Sequence, residues 1–519
     1  MEGKGAEIAP SAMIENIISQ IDKIAEEHPE RLAYTYEDHT YTFGELVTTA
    51  DRIAHFLQAQ HLPAKAPVVV YGEQTFAMVA TFLGAVKSGH GYIPIDTNSP
   101  DERIHQIHDV AQPAAILATE HLPVSFSDLP IYGPEQMATV RAKGETDYDH
   151  GQSVRGDDIF YIIFTSGTTG VPKGVQISHT NLLSYVNWAI SDFSLPEGIR
   201  CLAQAPYSFD LSVMDLYPSW VLGGNLVALP KRTTDNFMLL FKALPQLKLQ
   251  EWVSTPSFVE ICLLDANFKA ANYPDLKYFL FCGEELTGKT ASQLIDRFPD
   301  AKIFNTYGPT ETTVAVTGVE ITKDTIAQYE RLPIGYAKED TTMYAVDAKG
   351  NKVAPGELGE LIIEGPSVSK GYLNNPEKTK SAFFRDGDQQ AYRSGDLGFI
   401  DQDGLIFYRG RTDFQVKLHG FRIELEDVDH ALDALAPVKQ ASVVPKYNNL
   451  HKVTQLVAFV VPKKHPADEG AYIADLKKQL TQTAMSYMIP QRIELKESLP
   501  LTVNGKIDRK TLIAEVNPS

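Results

Sequence analysis

Cysteine is scarce. The chain has three among 519 residues, Cys201, Cys262 and Cys282, with no CxxC pair and no histidine-rich neighbourhood. That excludes a disulfide framework and gives no sign of a zinc site. Lone thiols fit a reducing cytoplasm. Long apolar runs are missing too: none approaches the roughly 18 residues that a membrane span needs, so no membrane insertion is expected. Basic charge is in deficit, with 47 Lys+Arg against 66 Asp+Glu and a formal net charge of −19. No nucleic-acid partner is expected, because that requires basic surface to neutralise phosphates. The deficit is uneven: from Arg411 onward 15 basic and 13 acidic residues nearly balance, which leaves 32 basic and 53 acidic residues to the rest. Such a tail either offers a local basic face to an acidic partner or is plain solvated surface. The start, Met1 to Ala6, lacks the charged-then-apolar layout of a secretory leader. Residues 1–12 read as a tag or disordered extension, and Met13 as the start of an amphipathic helix.

The length exceeds one ordinary core and predicts roughly two to four globular units. Apolar stretches alternate with helical patterns: Pro67–Tyr71, then Phe76–Val86, then Tyr92–Ile95. Alternation of this kind predicts an α/β protein built around largely buried sheets. The charge-rich stretch Arg141–Asp158 reads as a connector. Later, Glu357–Glu364 and Gly404–Tyr408 turn to short strands, which predicts a smaller β-rich subdomain. The segment Arg409–Asp413 then marks the best boundary before a compact α+β tail.

What is present in abundance is phosphate chemistry. The segment Phe164–Gly174 sets Thr165, Ser166, Gly167, Thr168, Thr169 and Lys173 directly after the apolar run Ile159–Ile163. Glycines let a backbone approach an anion, and hydroxyls and a lysine add donors and charge. The common P-loop needs Gly-Lys-Ser/Thr after four intervening residues, whereas Lys173 here stands between Pro172 and Gly174, so γ-phosphoryl transfer is not implied. Ser178–Asn181 supplies helix N-cap residues, so the loop should lead through a short strand into a helix.

Seven blocks in order carry a resemblance: Tyr41–Leu46, Gly91–Asp96, the loop, Asn305–Glu311, Tyr392–Asp396, Gly410–Asp413 and Pro500–Lys506. From about Ile14 to Lys510 the chain resembles the adenylate-forming superfamily, which includes peptide-synthetase adenylation domains, acyl-CoA synthetases and luciferase-like enzymes. The resemblance implies a large N-terminal core, residues 13–411, and a small mobile α+β domain, residues 412–519. It implies ATP and Mg²⁺ as cofactors, and a carboxylate joined to the α-phosphate with loss of pyrophosphate. Charge that builds on phosphate oxygens in that step is stabilised by preorganised cations.

Residue by residue, the resemblance makes Lys506 the catalytic lysine and gives the loop, Thr310 and Arg411 to the phosphates. It gives Gly283, Glu284, Asn305, Thr306, Tyr307 and Gly308 to the nucleoside, with Tyr307 under the adenine ring, and Asp396 to the ribose hydroxyls. Glu311 would hold Mg²⁺, and Asp413 would be the hinge about which the small domain turns after adenylation.

Asp210, in Phe209–Met214, resembles the aspartate of the amino-acid-activating branch that pairs with a substrate α-ammonium. Leu211, Met214, Cys282, Thr306, Val314 and Ala315 would line the side-chain pocket, with Met214 and Cys282 restricting it to a very small side chain. Within that branch the chain most resembles the free-standing ligases that load D-alanine onto the phosphopantetheine thiol of a carrier protein, for D-alanylation of teichoic acids. No carrier domain follows Lys510, so the carrier is expected as a separate partner. Two alternatives stay open: a ligase for another small amino acid or an acyl chain, and a nucleotide-sensing protein without catalysis.

Overall fold

A computed structural model describes residues 13–502 and 506–518. The expected extension at residues 1–12 and the Val503–Gly505 part of the last block lie outside the described residues. The first helix is Ile17–Glu27, four residues later than Met13 suggests, because the Asn16 side chain accepts from Ser19 N and caps it there. Ile17, Ile18, Ile21 and Ile24 form its buried stripe.

Among the described residues, two large sheets form the α/β body. One runs, by strand position, 336–337, 317–320, 302–307, 278–281, 251–254, 200–203, 225–228, 32–36, 39–42. The other runs 131–132, 115–118, 68–72, 92–96, 159–165, 173–178. Helices Phe76–Ser88 and Leu211–Val221 are buried along nearly their whole length. An apolar surface on every side suits a helix enclosed by other elements, and both belong to the same large cluster as residues of the two sheets. The short alternating stretches foreseen near 360 and 406 are strands Gly359–Glu364 and Ile406–Arg411 of a five-stranded antiparallel sheet.

After Arg411 the chain forms the hairpin Gln415–Leu418 with Phe421–Glu424, then a three-stranded sheet of 438–447, 453–462 and 492–495. Its buried apolar residues pack in clusters of their own, drawn from residues 416–493 and 444–512. The molecule is therefore α/β with a β-rich subdomain and a small α+β unit at its C-terminal end.

Candidate functional site

The threonine- and glycine-rich loop joins two antiparallel strands, Ile159–Thr165 and Lys173–Ser178, in which Thr165 pairs with Lys173. The second strand passes into helix His179–Asp192 through a Ser178–Asn181 capping box, as the sequence suggested. Glycine is required at 167, where a Cβ would meet Val171 O at 2.2 Å. Lys173 is largely buried, and burial followed by the neighbouring Arg422 guanidinium lowers the pKa of its ammonium. The Thr165 hydroxyl is buried without a hydrogen-bond partner.

Asp210 stands immediately before helix Leu211–Val221 but makes no side-chain cap bond. Its Oδ2 is buried and has no hydrogen-bond partner. Burial pushes the carboxyl up to about 6, offset in part by the Thr310 hydroxyl. Asp210 and Leu211 line a cleft of about 80 Å³ together with Thr165, Ser166, Thr310 and Val314. Cys282, Gly283, Gly308, Asp396 and Arg411 complete the predicted residues found on its walls.

One wall is strained. Thr313 and Val314, both β-branched, take φ of 64° and 65°, a region such residues rarely enter. Gly308 lets this turn close in, since a Cβ there would meet Ala315 Cα at 2.5 Å. Cys282 Sγ lies 3.7 Å from Val314 O on the same wall.

Several predicted residues stand behind the walls. Met214 and Ala315 are buried in the core and do not line the cleft. Thr306 Oγ1 donates to Phe281 O of the neighbouring strand at 2.8 Å, and Asn305 Nδ2 to Pro333 O at 2.8 Å, so both are spent on backbone carbonyls here. Glu284 Oε2 accepts from Ser257 N at 3.0 Å and lies 4.0 Å from Lys452 Nζ. Tyr307 donates its hydroxyl to Asp396 Oδ2 at 2.5 Å, while Arg411 Nη1 holds Oδ1 at 2.9 Å. Asp413 receives Nε and Nη2 of the same guanidinium.

Glu311, in a short turn of helix at 310–312, is fully buried. Tyr372 donates to its Oε1 at 2.8 Å and Arg422 Nη1 to its Oε2 at 2.6 Å. Burial alone would raise this carboxyl, but Arg422 and Lys173 outweigh it and hold it down to about 2. Lys506 is exposed and lies outside the cleft lining; its backbone is tied to Thr502 by an N–H of Thr502 on Lys506 O at 2.7 Å.

In place of Lys506, the C-terminal unit presents the hairpin 415–424 to the cleft, with Gln415, Lys417, Gly420 and Arg422 on its walls. The turn residues His419 and Gly420 have φ of 52° and 84°, the pairing that a tight two-residue hairpin requires. Gln415 pairs with Glu424 and Lys417 with Arg422, so all four polar side chains share one face, opposite Val416 and Ile423. Phe421 seats the hairpin on the core by stacking on Tyr487, ring centroids 4.2 Å apart, and meeting Phe209 at 4.8 Å. The signal was available: Gln-Val-Lys-Leu-His-Gly-Phe-Arg-Ile-Glu alternates polar and apolar residues about a His-Gly turn, but it falls between the blocks singled out, after Gly410–Asp413 and before Pro500–Lys506.

Residues 21–373 match the family described as AMP-binding enzyme, and residues 427–506 match the AMP-binding enzyme C-terminal domain. The D-alanine–D-alanyl carrier protein ligase of Lacticaseibacillus casei is 60% identical over 506 residues, spanning 97% of this chain and 100% of that protein. The protein of the same name from Lactiplantibacillus plantarum is 57% identical over 508 residues, spanning 98% and 100%. The one from Streptococcus agalactiae is 48% identical over 511 residues, spanning 97% and 100%. An adenylation domain of Vibrio cholerae, solved with glycyl-adenosine-5'-phosphate, shares the fold at a TM-score of 0.81 and 24% identity over 99% of each chain. A fused adenylation–PCP di-domain from Klebsiella oxytoca does so at 0.80 and 22%, covering 93% of this chain and 94% of that one. The chain belongs to the AMP-binding enzymes, as a ligase of the D-alanine–D-alanyl carrier protein ligase family.

Proposed function

We propose that this chain activates D-alanine with ATP and passes it to the phosphopantetheine thiol of a separate carrier protein, for D-alanylation of teichoic acids in the cytoplasm-facing stage of that process. In the first step a carboxylate oxygen of D-alanine attacks the α-phosphorus; the bond to the bridging oxygen breaks and pyrophosphate leaves. In the second, the thiolate attacks the acyl carbon; the bond to the phosphate oxygen breaks and AMP leaves.

The observation that carries this reading is the Asp210 carboxylate, with an unpartnered, buried Oδ2 on the cleft wall. A buried charge left without a partner is costly, and the α-ammonium of an amino acid supplies that partner. An acyl chain would leave the oxygen stranded, which disfavours the acyl-CoA synthetase alternative. The restricted wall at Cys282 and Val314 fits a methyl side chain.

The other roles follow the resemblance. Thr165–Thr169, Lys173, Thr310 and Arg411 would hold phosphates; the orphan Thr165 hydroxyl and the buried Lys173 suit that task. Gly283, Glu284 and Asn305–Gly308 would frame the nucleoside, and Asp396 would accept the ribose hydroxyls on lone pairs that Tyr307 and Arg411 leave free. Glu311 would hold Mg²⁺: its carboxylate is ionised, buried and already faces a cation, Arg422. Magnesium in nucleotide sites takes one or two carboxylates plus phosphates, so one acid suffices. When bound, the ion would neutralise phosphate charge. Lys506 would enter in a second orientation of residues 412–519 relative to residues 13–411, turning at Asp413, and bridge the carboxylate and α-phosphate.

ATP–pyrophosphate exchange measured with D-alanine, L-alanine, glycine, serine and short fatty acids tests the reading. Fastest exchange with D-alanine is expected. No exchange with any of them would exclude the activity, and fastest exchange with another acid would reject the substrate.

A further inference from the structure

The C-terminal unit places a cation and two anions against the loop and Glu311, in the positions where charges of opposite sign call for them. Arg422 Nη1 lies 2.6 Å from Glu311 Oε2. Glu424 Oε1 lies 3.7 Å from Lys173 Nζ, and the Glu424 amide donates to Ser166 Oγ at 3.2 Å. Asp427, in the first turn of helix Leu425–Asp433, faces the Gly167 amide and comes so near Gly170 that a Cβ there would lie 3.8 Å from its Oδ1. His430 Nε2, on the same helix, is 3.0 Å from Thr168 O. Glu311, Glu424 and Asp427 are all buried.

We propose that residues 422–427 are an internal stand-in for magnesium pyrophosphate, occupying its place on Lys173, the loop amides and Glu311 once it has left. This rests on the phosphate and metal roles assigned above. Arg422 occupies the cation's side of Glu311, and Glu424 with Asp427 the anion's side of the loop. One positive and two negative charges sum, as magnesium pyrophosphate does, to a net negative charge. The physical reason for such a device is that Glu311 is fully buried and Lys173 largely so. Loss of pyrophosphate and its metal would leave the two with little counter-charge beyond each other, which is expensive. The hairpin and helix supply those counter-charges from the chain itself.

Two consequences follow from mutual exclusion. A triphosphate enters only when residues 422–430 withdraw, in keeping with a cleft of about 80 Å³, well below the roughly 300 Å³ at which ligand pockets begin. The present orientation of the C-terminal unit, in which Lys506 is outside, forms only after pyrophosphate has gone. Pyrophosphate thereby opposes this orientation by binding, apart from reversing the chemistry, because each ligand shifts the population toward the state it fits.

Amide hydrogen exchange on the full chain, with and without Mg²⁺ and inorganic pyrophosphate, reads this directly. Exchange in residues 422–433 should rise several-fold on addition, while the loop at 165–173 gains or keeps protection. A double variant, Glu424→Gln with Asp427→Asn, should bind magnesium pyrophosphate about 3- to 10-fold more tightly, because a weakened internal competitor enlarges the binding-competent fraction. The charge-retaining Glu424→Asp should shift it less. Binding with unchanged exchange at 422–433, or equal or weaker binding by the double variant, overturns the inference while leaving the D-alanine exchange assay to judge the function. Failure of the wild-type chain to bind magnesium pyrophosphate overturns both.

Discussion

Arg411 binds Asp413 through two hydrogen bonds, Nε to Oδ1 at 2.9 Å and Nη2 to Oδ2 at 2.6 Å, while its Nη1 holds Asp396 at 2.9 Å. The residue proposed as hinge is thus tied through one guanidinium to the carboxylate proposed for the ribose. Lysine cannot reproduce this planar fork. Arg411→Lys is expected to raise the KM for ATP about 10-fold or more. It should also cost roughly 1–3 kcal/mol in denaturant unfolding, below the ~3–5 kcal/mol of a fully buried broken pair because Asp413 is half exposed. An unchanged KM would separate Arg411 from nucleotide binding.

Asp210 has a carboxyl raised to about 6, chiefly by burial. The folded state therefore holds its proton more tightly than the unfolded chain, so this residue's contribution to stability declines as pH rises from about 4 to 6 and is least favourable above that. Asp210→Asn should accordingly stabilise the chain at pH 7 by roughly 1–3 kcal/mol after allowance for screening, while abolishing D-alanine-dependent exchange. For the wild type, KM for D-alanine should climb as pH falls below about 6, because only the ionised form attracts an ammonium. A flat KM from pH 5 to 8 would argue against the pairing.

Cys282 Sγ narrows the wall that Val314 forms. Cys282→Ala should lower the preference for D-alanine over L-alanine or serine by about 10-fold or more, since one small apolar contact in a pocket is worth roughly 1–3 kcal/mol. Competition assays in kcat/KM are the measurement; a preserved ratio would place selectivity elsewhere.

Lys506 is exposed, away from the cleft. If it serves only the adenylating orientation, Lys506→Ala should reduce exchange by about 100-fold or more, yet transfer from preformed D-alanyl-adenylate to the carrier should persist. Equal loss in both half-reactions would contradict that division.

Far from the cleft, Lys87 Nζ is buried between Asp22 at 2.6 Å and Asp51 at 2.5 Å. Lys87→Ala strands both carboxylates and should cost about 3–5 kcal/mol of stability, with KM for D-alanine unaffected in chain that remains folded. A loss under ~1 kcal/mol would show that water reaches the pair.

Strand and helix positions were legible because their signals are local: a period of two or of 3.6, a cap, a turn. Phe76–Ser88 and Tyr92–Asp96 came within two residues of their expected bounds. The first helix moved to Ile17 because Asn16 is the better cap. Met214 and Cys282 looked alike as pocket residues and both are buried, but Cys282 stands on the cleft wall and Met214 does not.

By itself the sequence determined the α/β body, the β-rich subdomain, the glycine- and hydroxyl-rich loop after its strand and the presence of an acid at 210, all written in short-range patterns. Only the tertiary structure decided that Asp210 does not cap its helix, that Lys506 lies outside, and that Arg422, Glu424 and Asp427 face Glu311 and Lys173. Those encounters join positions roughly a hundred or more residues apart across two separately packed units. They depend on how the C-terminal unit is seated, through contacts such as Phe421 on Tyr487 and Phe209, and no local period encodes that.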